Sequence, residues 1–189
     1  MRQGTLIVIA GPSGVGKGSV VQRLLERDPE RLALSVSATT RPARPSERDG
    51  VDYRFIDDAT FDRMIAAGEF LEWAEVYPDR RYGTPHAFVD ERLAAGSDVL
   101  LEIDVQGASQ VRAQAPAALL VLLIPPSLSA LEARLRGRGT EDDAAIAERL
   151  AVAERELEQA GWFDHVVVND DLDRATEEVA AIIETSRTR

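Results

Sequence analysis

The run Gly11-Pro12-Ser13-Gly14-Val15-Gly16-Lys17 constrains this chain more than any other feature, because it satisfies the spacing G-x-x-x-x-G-K in the context that motif demands. On its N-terminal side, Thr5 to Ala10 is a short β-rich apolar run. On its C-terminal side, Val20, Val21, Leu24 and Leu25 recur at helical spacing. Strand, glycine loop and helix in that order open a parallel α/β unit. The glycines let consecutive N–H groups point into one concavity, and the next helix presents its positive end, so the loop can cradle a β-phosphate. Lys17 adds a mobile point charge for the β- and γ-phosphates of a donor such as ATP. The plainer alternative is a glycine-rich turn that merely joins strand to helix; the lysine and the flanking elements weigh against it.

The pattern departs from the general motif at Gly18, so the loop hydroxyl arrives only with Ser19. Magnesium, entering as MgATP, is therefore expected to be held through water and phosphate. Val99-Leu100-Leu101-Glu102-Ile103-Asp104 resembles the second nucleotide-site signature, an apolar strand ending in a carboxylate. Asp104 and Ser19 can reach the metal through water, with no direct protein ligand assigned. A strand-end Asp is also a common turn former.

Continuous apolar runs at Val99 to Ile103, Leu119 to Ile124 and His165 to Val168 suit strands covered on both faces by helices. At 189 residues, 44% hydrophobic and 29% charged, the chain fits one α/β domain with room for an insertion or two. The net charge of -11 repels nucleic acid backbones, so no nucleic acid partner is expected and any polyanion site must be local. The absence of cysteine excludes disulfides, zinc-thiolate sites and thiol catalysis and fits a reducing cytosol. The longest apolar runs, Leu6 to Ala10 and Ala117 to Ile124, fall far short of the ~20 residues that cross a bilayer. Gly11 and Pro12 end the first run before a cleavable signal can form, so a cytoplasmic protein with no membrane partner is expected.

About sixty residues between the first helix and the Val99 strand, rich in Thr, Arg, Pro, Asp and Tyr, break the alternation and read as an acceptor-binding insertion. After Pro125 and Pro126, Leu128 to Arg138 and Glu141 to Gln159 read as helices, with Thr140 capping the second and Asp143 three residues on. Arg138, Gly139 and Thr140 would then form the hinge of a moving lid. Asp173 to Ile183 reads as a closing amphipathic helix.

A phosphate loop alone does not name a reaction. The insertion carries Ser35-Val36-Ser37-Ala38-Thr39-Thr40-Arg41-Pro42-Ala43-Arg44-Pro45, then Gly50-Val51-Asp52-Tyr53, Glu69-Phe70-Leu71-Glu72-Trp73 and Tyr82-Gly83-Thr84. Glu102-Ile103-Asp104-Val105-Gln106-Gly107, Ile124-Pro125-Pro126-Ser127, Arg136-Gly137-Arg138-Gly139-Thr140 and Val168-Asn169-Asp170-Asp171-Leu172 follow in order. Together these segments resemble the guanylate kinase family over essentially the whole chain, 4–184. The resemblance implies a P-loop parallel sheet core flanked by helices (about 1–35, 97–127 and 160–189). It also implies a GMP-binding insertion (about 36–96) and a helical lid (about 128–159). The implied reaction is phosphoryl transfer from ATP to GMP, and to dGMP, by a monomer or small homo-oligomer.

The residue chemistry supports the roles that the family implies. Arg41 and Arg44 can form a guanidinium fork on the acceptor phosphate, and Tyr53 and Tyr82 add hydroxyl donors, four donors with no carboxylate expected nearby. Glu72 can accept from guanine N1–H and the N2 amine at once, whereas adenine offers an acceptor at N1 and no N2 amine. Ser37 and Thr84 complete the base pocket, and Glu102 and Asp104 face the guanine nucleotide from one strand end. Taken singly, Glu72 beside Trp73 also reads as a surface residue on a helix. Arg134, Arg138 and Arg149, with Lys17, match the charges that the family gathers around the moving phosphoryl group. An exposed lid arginine paired with Glu132 or Glu148 is the plainer alternative. Asn169 resembles the residue that borders the donor adenine, while Arg136 has no family role and reads as solvated.

Arg81 stands where many relatives carry a second tyrosine. His86 and His165 lack metal-site spacing. Two rival functions remain: a kinase for AMP or a phosphorylated ribose, and a binding module that has lost catalysis. Ser37, Glu72 and Thr84 argue against the first; Lys17, Arg138 and Arg149 argue against the second.

Overall fold

The structure, a computed structural model, describes residues 3–45, 47–77, 80–137 and 142–188. Strand β1 (Leu6–Ala10) is buried along its whole length and runs into the glycine loop and helix α1 (Lys17–Arg27). It sits at the centre of a five-stranded parallel sheet with β2 (Leu32–Leu34), β7 (Asp98–Ile103), β8 (Leu119–Ile124) and β9 (His165–Val168), in the order β2-β7-β1-β8-β9. Side chains alternate across a strand, so Ile7 and Ile9 meet α1 and the last helix, α7 (Leu172–Arg187), on one face. Leu6, Val8 and Ala10 meet Val105, Ala108 and Val111 of α4 (Val105–Gln114) on the other. Both faces are dry, which is why these strands read as unbroken apolar runs. The three-residue β2, too short to show such a run, was not among the strands expected from the sequence.

The insertion folds as a second sheet, order β4-β3-β6-β5, built from β3 (Ala38–Thr39), β4 (Arg54–Phe55), β5 (Phe70–Tyr77) and β6 (Arg80–Pro85). Helix α2 (Asp58–Ala66) packs Phe61 against Phe70 and Ala38 to give this sheet a small core of its own. Helix α3 (His86–Ala94) leads back to β7. Glu72 therefore lies on a strand, not on the surface helix that the sequence also allowed.

Helices α5 (Leu128–Gly137) and α6 (Asp143–Leu157) pair through Leu131, Leu135, Ile146 and Ala153. The expected hinge residues Arg138, Gly139 and Thr140 lie outside the described residues. The expected capping role of Thr140 lies there too; the N-cap of α6 is Asp142, whose carboxylate accepts from Ala145 N–H at 2.9 Å. Aspartates also cap α2, α4 and α7 through Asp57, Asp104 and Asp171. Helix α1 starts instead at Gly16 with no side-chain cap, leaving its first N–H groups for a ligand.

Candidate active site

The carboxyl ends of β1 and β7 are neighbours, and α/β sheets bind ligands at such strand ends. A single cleft of about 1470 Å³ opens there, lined by the glycine loop, the insertion sheet and α6. Glycine is required in the loop for distinct reasons. Gly14 and Gly16 have φ of 88° and 101°, and Gly16 additionally makes room for the side chain of Asn169. A Cβ on Gly11 would stand 2.3 Å from the Leu123 carbonyl oxygen, so the loop can lie this close to β8 only as glycine. Gly14 is covered by Leu135 and Leu131, which dock the lid helix on the loop.

Lys17 reaches back over the loop, its Nζ donating to the Gly11 and Pro12 carbonyls at 2.5 and 3.2 Å. Val15 is fully buried beneath the loop. Asn169 donates from Nδ2 to the Val15 carbonyl at 2.8 Å, tying the end of β9 to the loop. Arg134 donates to the Val15 and Asn169 carbonyls at 3.1 and 2.7 Å. Arg149 crosses from α6 and donates to Ser13 Oγ at 2.6 Å. Both arginines, Arg134 and Arg149, are aimed at the loop. Arg138 lies outside the described residues, and Arg136 pairs with Glu132 and Asp143 on the surface.

On the acceptor side, Ser37, Arg44, Tyr53, Glu72 and Tyr82 line the cleft, while Arg41 and Thr84 are buried behind it. Thr84 donates its hydroxyl to Glu72 Oε1 at 2.6 Å, a bond set by the β5–β6 pairing that puts the two residues opposite each other. Glu72 is only 5% exposed. Burial pushes its carboxyl up to about 7, with Asp104 adding repulsion and the Thr84 bond opposing the rise. Asp104 keeps the turn-former's role as well: its Oδ1 accepts Gly107 N–H at 2.7 Å to cap α4. Glu102 lies opposite Lys17 in the cleft, and burial raises its carboxyl while the ammonium lowers it.

The expectation that no carboxylate stands near the four phosphate donors is overturned. Glu47 holds both terminal nitrogens of Arg41, at 2.8 and 2.9 Å, and takes the Arg44 backbone N–H at 2.8 Å. The hydrogen bond from Arg41, then that from the Arg44 backbone, holds the Glu47 carboxyl down at about 2. Arg41 also donates to the Pro42 carbonyl at 2.8 Å and from Nε to the Tyr82 hydroxyl at 3.2 Å. Of Arg41 and Arg44, it is Arg44, with its side chain 71% exposed, that lines the cleft. Glu47 sits inside the arginine loop and was missed because a glutamate in a charged, proline-rich stretch carries no signal of its partner.

Two further cleft residues escaped the sequence reading. Ser35 has a buried hydroxyl with no partner among the described residues. Glu156 of α6 accepts the backbone N–H of Val105, and burial raises its carboxyl while Lys17 opposes the rise. Ser35 opens the arginine-bearing run of the insertion without a role of its own there, and Glu156 belongs to no such run. Arg81 is a strut: it pairs with Asp58 and Asp62 at 2.7 and 2.5 Å and stacks on Phe61, tying β6 to α2. Ser19 is exposed on α1 and Gly18 faces Glu102, while Ser13, the loop hydroxyl that lines the cleft, is taken by Arg149. Among the described residues no group of three metal-ligating side chains forms. The donor set that is present, carboxylates of Glu102 and Asp104 beside a phosphate loop, suits a cation brought in on nucleotide phosphates. His86 bonds the side chain of Gln114, and His165 is exposed on β9. No helix among the described residues is long and apolar enough to cross a membrane.

A family model described as guanylate kinase matches residues 3–186. The guanylate kinase of Aromatoleum aromaticum is 52% identical over 98% of this chain and 90% of its own. That of Nocardia farcinica is 52% identical over 100% and 97%, and that of a Synechococcus strain 54% over 93% of each. The crystal structure of guanylate kinase from Anaplasma phagocytophilum superposes with a TM-score of 0.80 at 30% identity, covering all of this chain and 88% of its own. A gluconokinase from Sinorhizobium meliloti, at 20% identity and a TM-score of 0.54, shares the fold alone. With a glycine-rich phosphate-loop motif and the insertion sheet meeting in one cleft and relatives alike over nearly their full lengths, this chain belongs to the guanylate kinase family and is a kinase.

Proposed function

We propose that this chain transfers the γ-phosphoryl group of ATP to GMP, and to dGMP, giving ADP and GDP. The observation that supports the reading is the single cleft whose lining includes Lys17 and Arg149 together with Arg44, Tyr82 and Glu72. The donor triphosphate lies along residues 11–19, with the uncapped start of α1 and Lys17 on its β- and γ-phosphates and Asn169 toward the adenine. Guanine enters between Ser37, Glu72 and Thr84, with Glu102 and Asp104 closing the pocket from β7.

The acceptor phosphate meets Arg44 and the hydroxyls of Tyr53 and Tyr82. Because Arg41 Nε–H donates to the Tyr82 oxygen, the Tyr82 proton is left to point at the phosphate. A GMP phosphate oxygen attacks the γ-phosphorus, the bond to the β–γ bridging oxygen breaks, and ADP leaves with that electron pair. Lys17, Arg134, Arg149 and, by resemblance, Arg138 stabilise the charge that spreads over the transferred group, and the lid excludes water from it. Asp104 and Glu102 are the carboxylates that would hold magnesium, through water, as it arrives on the donor phosphates, and the ion would supply neutralising charge there. Residues 36–96 act as the acceptor region and 128–159 as the lid. We place the reaction in the cytoplasm, in purine nucleotide metabolism, by a monomer or small homo-oligomer.

The test is magnesium-dependent ADP formation from ATP with GMP, dGMP, AMP, UMP or no acceptor. Turnover confined to the guanine nucleotides supports the reading. Folded protein with no GMP-dependent turnover, or with AMP preferred, overturns it.

A further inference from the structure

Strand β5 is the outer strand of the insertion sheet, so one of its edges has no strand beside it among the described residues. Such an edge exposes backbone N–H and C=O groups that need partners. Helix α4 of the core supplies them with side-chain amides. Gln110 accepts the Trp73 N–H at 3.1 Å through Oε1 and donates to the Trp73 carbonyl at 2.8 Å through Nε2. One turn further, Gln114 donates to the Leu71 carbonyl at 2.9 Å. An amide that accepts from and donates to one residue reproduces what a neighbouring strand would give it.

Glu72 lies between these two anchor points. On the other edge, Phe70 faces Pro85 while Glu72 faces Thr84, so β5 carries one extra residue at Leu71. This bulge turns Leu71 and Glu72 inward in succession where a regular strand would alternate them. The same face of α4 then leaves room for the carboxylate: a Cβ on Gly107 would stand 2.8 Å from Glu72 Oε2.

We propose that Gln110 and Gly107 are positioning residues for guanine selection, a template on α4 that sets where the Glu72 carboxylate stands. Gln110 fixes the backbone of the following residue, and Gly107 gives Oε2 its place. The inference rests on the reading of Glu72 as the guanine reader, and it makes base selection depend on a helix that begins beside the donor site at Asp104.

The experiment compares wild type, Gln110→Met, Gly107→Ala and Glu72→Gln for kcat, for KM of GMP and of ATP, and for preference of GMP over IMP, which lacks the N2 amine. Methionine keeps the shape of Gln110 without its amide, and alanine is a better helix former than glycine, so both variants are built to retain the fold. The expected result is a rise of about tenfold in the KM of GMP and a matching fall in GMP over IMP preference, with kcat and the KM of ATP changed less than about twofold. If Glu72→Gln loses selectivity while Gln110→Met and Gly107→Ala keep it, the positioning role alone is overturned. If kcat and the melting temperature fall while both KM values rise together, the two residues are merely structural and the inference also fails. A wild type that ignores GMP, or a Glu72→Gln that still prefers it over IMP, overturns the underlying reading.

Discussion

Glu47 grips both terminal nitrogens of Arg41, and so the arginine that the sequence offers first to the acceptor phosphate is committed to the protein. Its Nε orients Tyr82, and Arg44 is left facing the cleft. Glu47→Gln keeps the shape but weakens the hold on Arg41, and it is expected to raise the KM of GMP about tenfold with little change in kcat. Inhibition by guanosine, which carries no phosphate, should be unchanged. Equal weakening of both ligands would show that Glu47 does not act through the phosphate.

The raised carboxyl of Glu72, at about 7, predicts a pH dependence with a definite sign. Guanine N1–H and N2–H need an ionised acceptor, so binding expels the proton. The KM of GMP should fall as pH rises from 6 toward 8 and level off above about 7, and Glu72→Gln should flatten the profile. Buffers of different ionisation enthalpy would reveal the released proton by calorimetry.

Stability runs the other way. The unfolded carboxyl titrates near the ordinary glutamate value of 4.5, so the folded state holds a proton between about 4.5 and 7 that the unfolded chain has lost. The contribution of Glu72 is present below about 4.5 and lost as pH rises through about 7. Relative to wild type, Glu72→Gln should therefore melt higher at pH 8 than at pH 5.

Lys17 and Arg149 both bond the donor loop, one on its carbonyls and one on Ser13. Lys17→Met is expected to lower kcat about a thousandfold and Arg149→Met about a hundredfold, with circular dichroism unchanged. Near-normal turnover in either variant would remove that residue from the transfer step.

At the other end of β7, Arg187 and Asp98 form a buried pair, their side chains 4% and 1% exposed, that ties the last helix to the sheet. Arg187→Met takes the guanidinium from the buried Asp98 carboxylate, which keeps the Thr5 N–H, and should lower stability by about 3 kcal/mol in urea unfolding. Because the pair lies away from the carboxyl strand ends, kcat of the folded fraction should stay within about twofold.

The parallel core was legible because its signals are local. Strands β8 and β9 follow their apolar runs to the residue, and the loop follows its glycines. The insertion was legible as an interruption, but not as a four-stranded sheet, since strands of two residues such as Ala38–Thr39 show no periodicity. Glu72 illustrates the limit: its neighbours fit a helix or a strand, and only pairing with β6 decides.

By itself the sequence determined the phosphate loop, the buried strands and the family, because each is carried by residues adjacent in the chain. The tertiary structure decided which charges are available. It gave Arg41 to Glu47, Arg134 to the Val15 carbonyl, and the backbone beside Glu72 to Gln110. Those pairings join residues up to 119 positions apart. They are settled by packing and by the cost of leaving buried polar groups unmet, which no local pattern records.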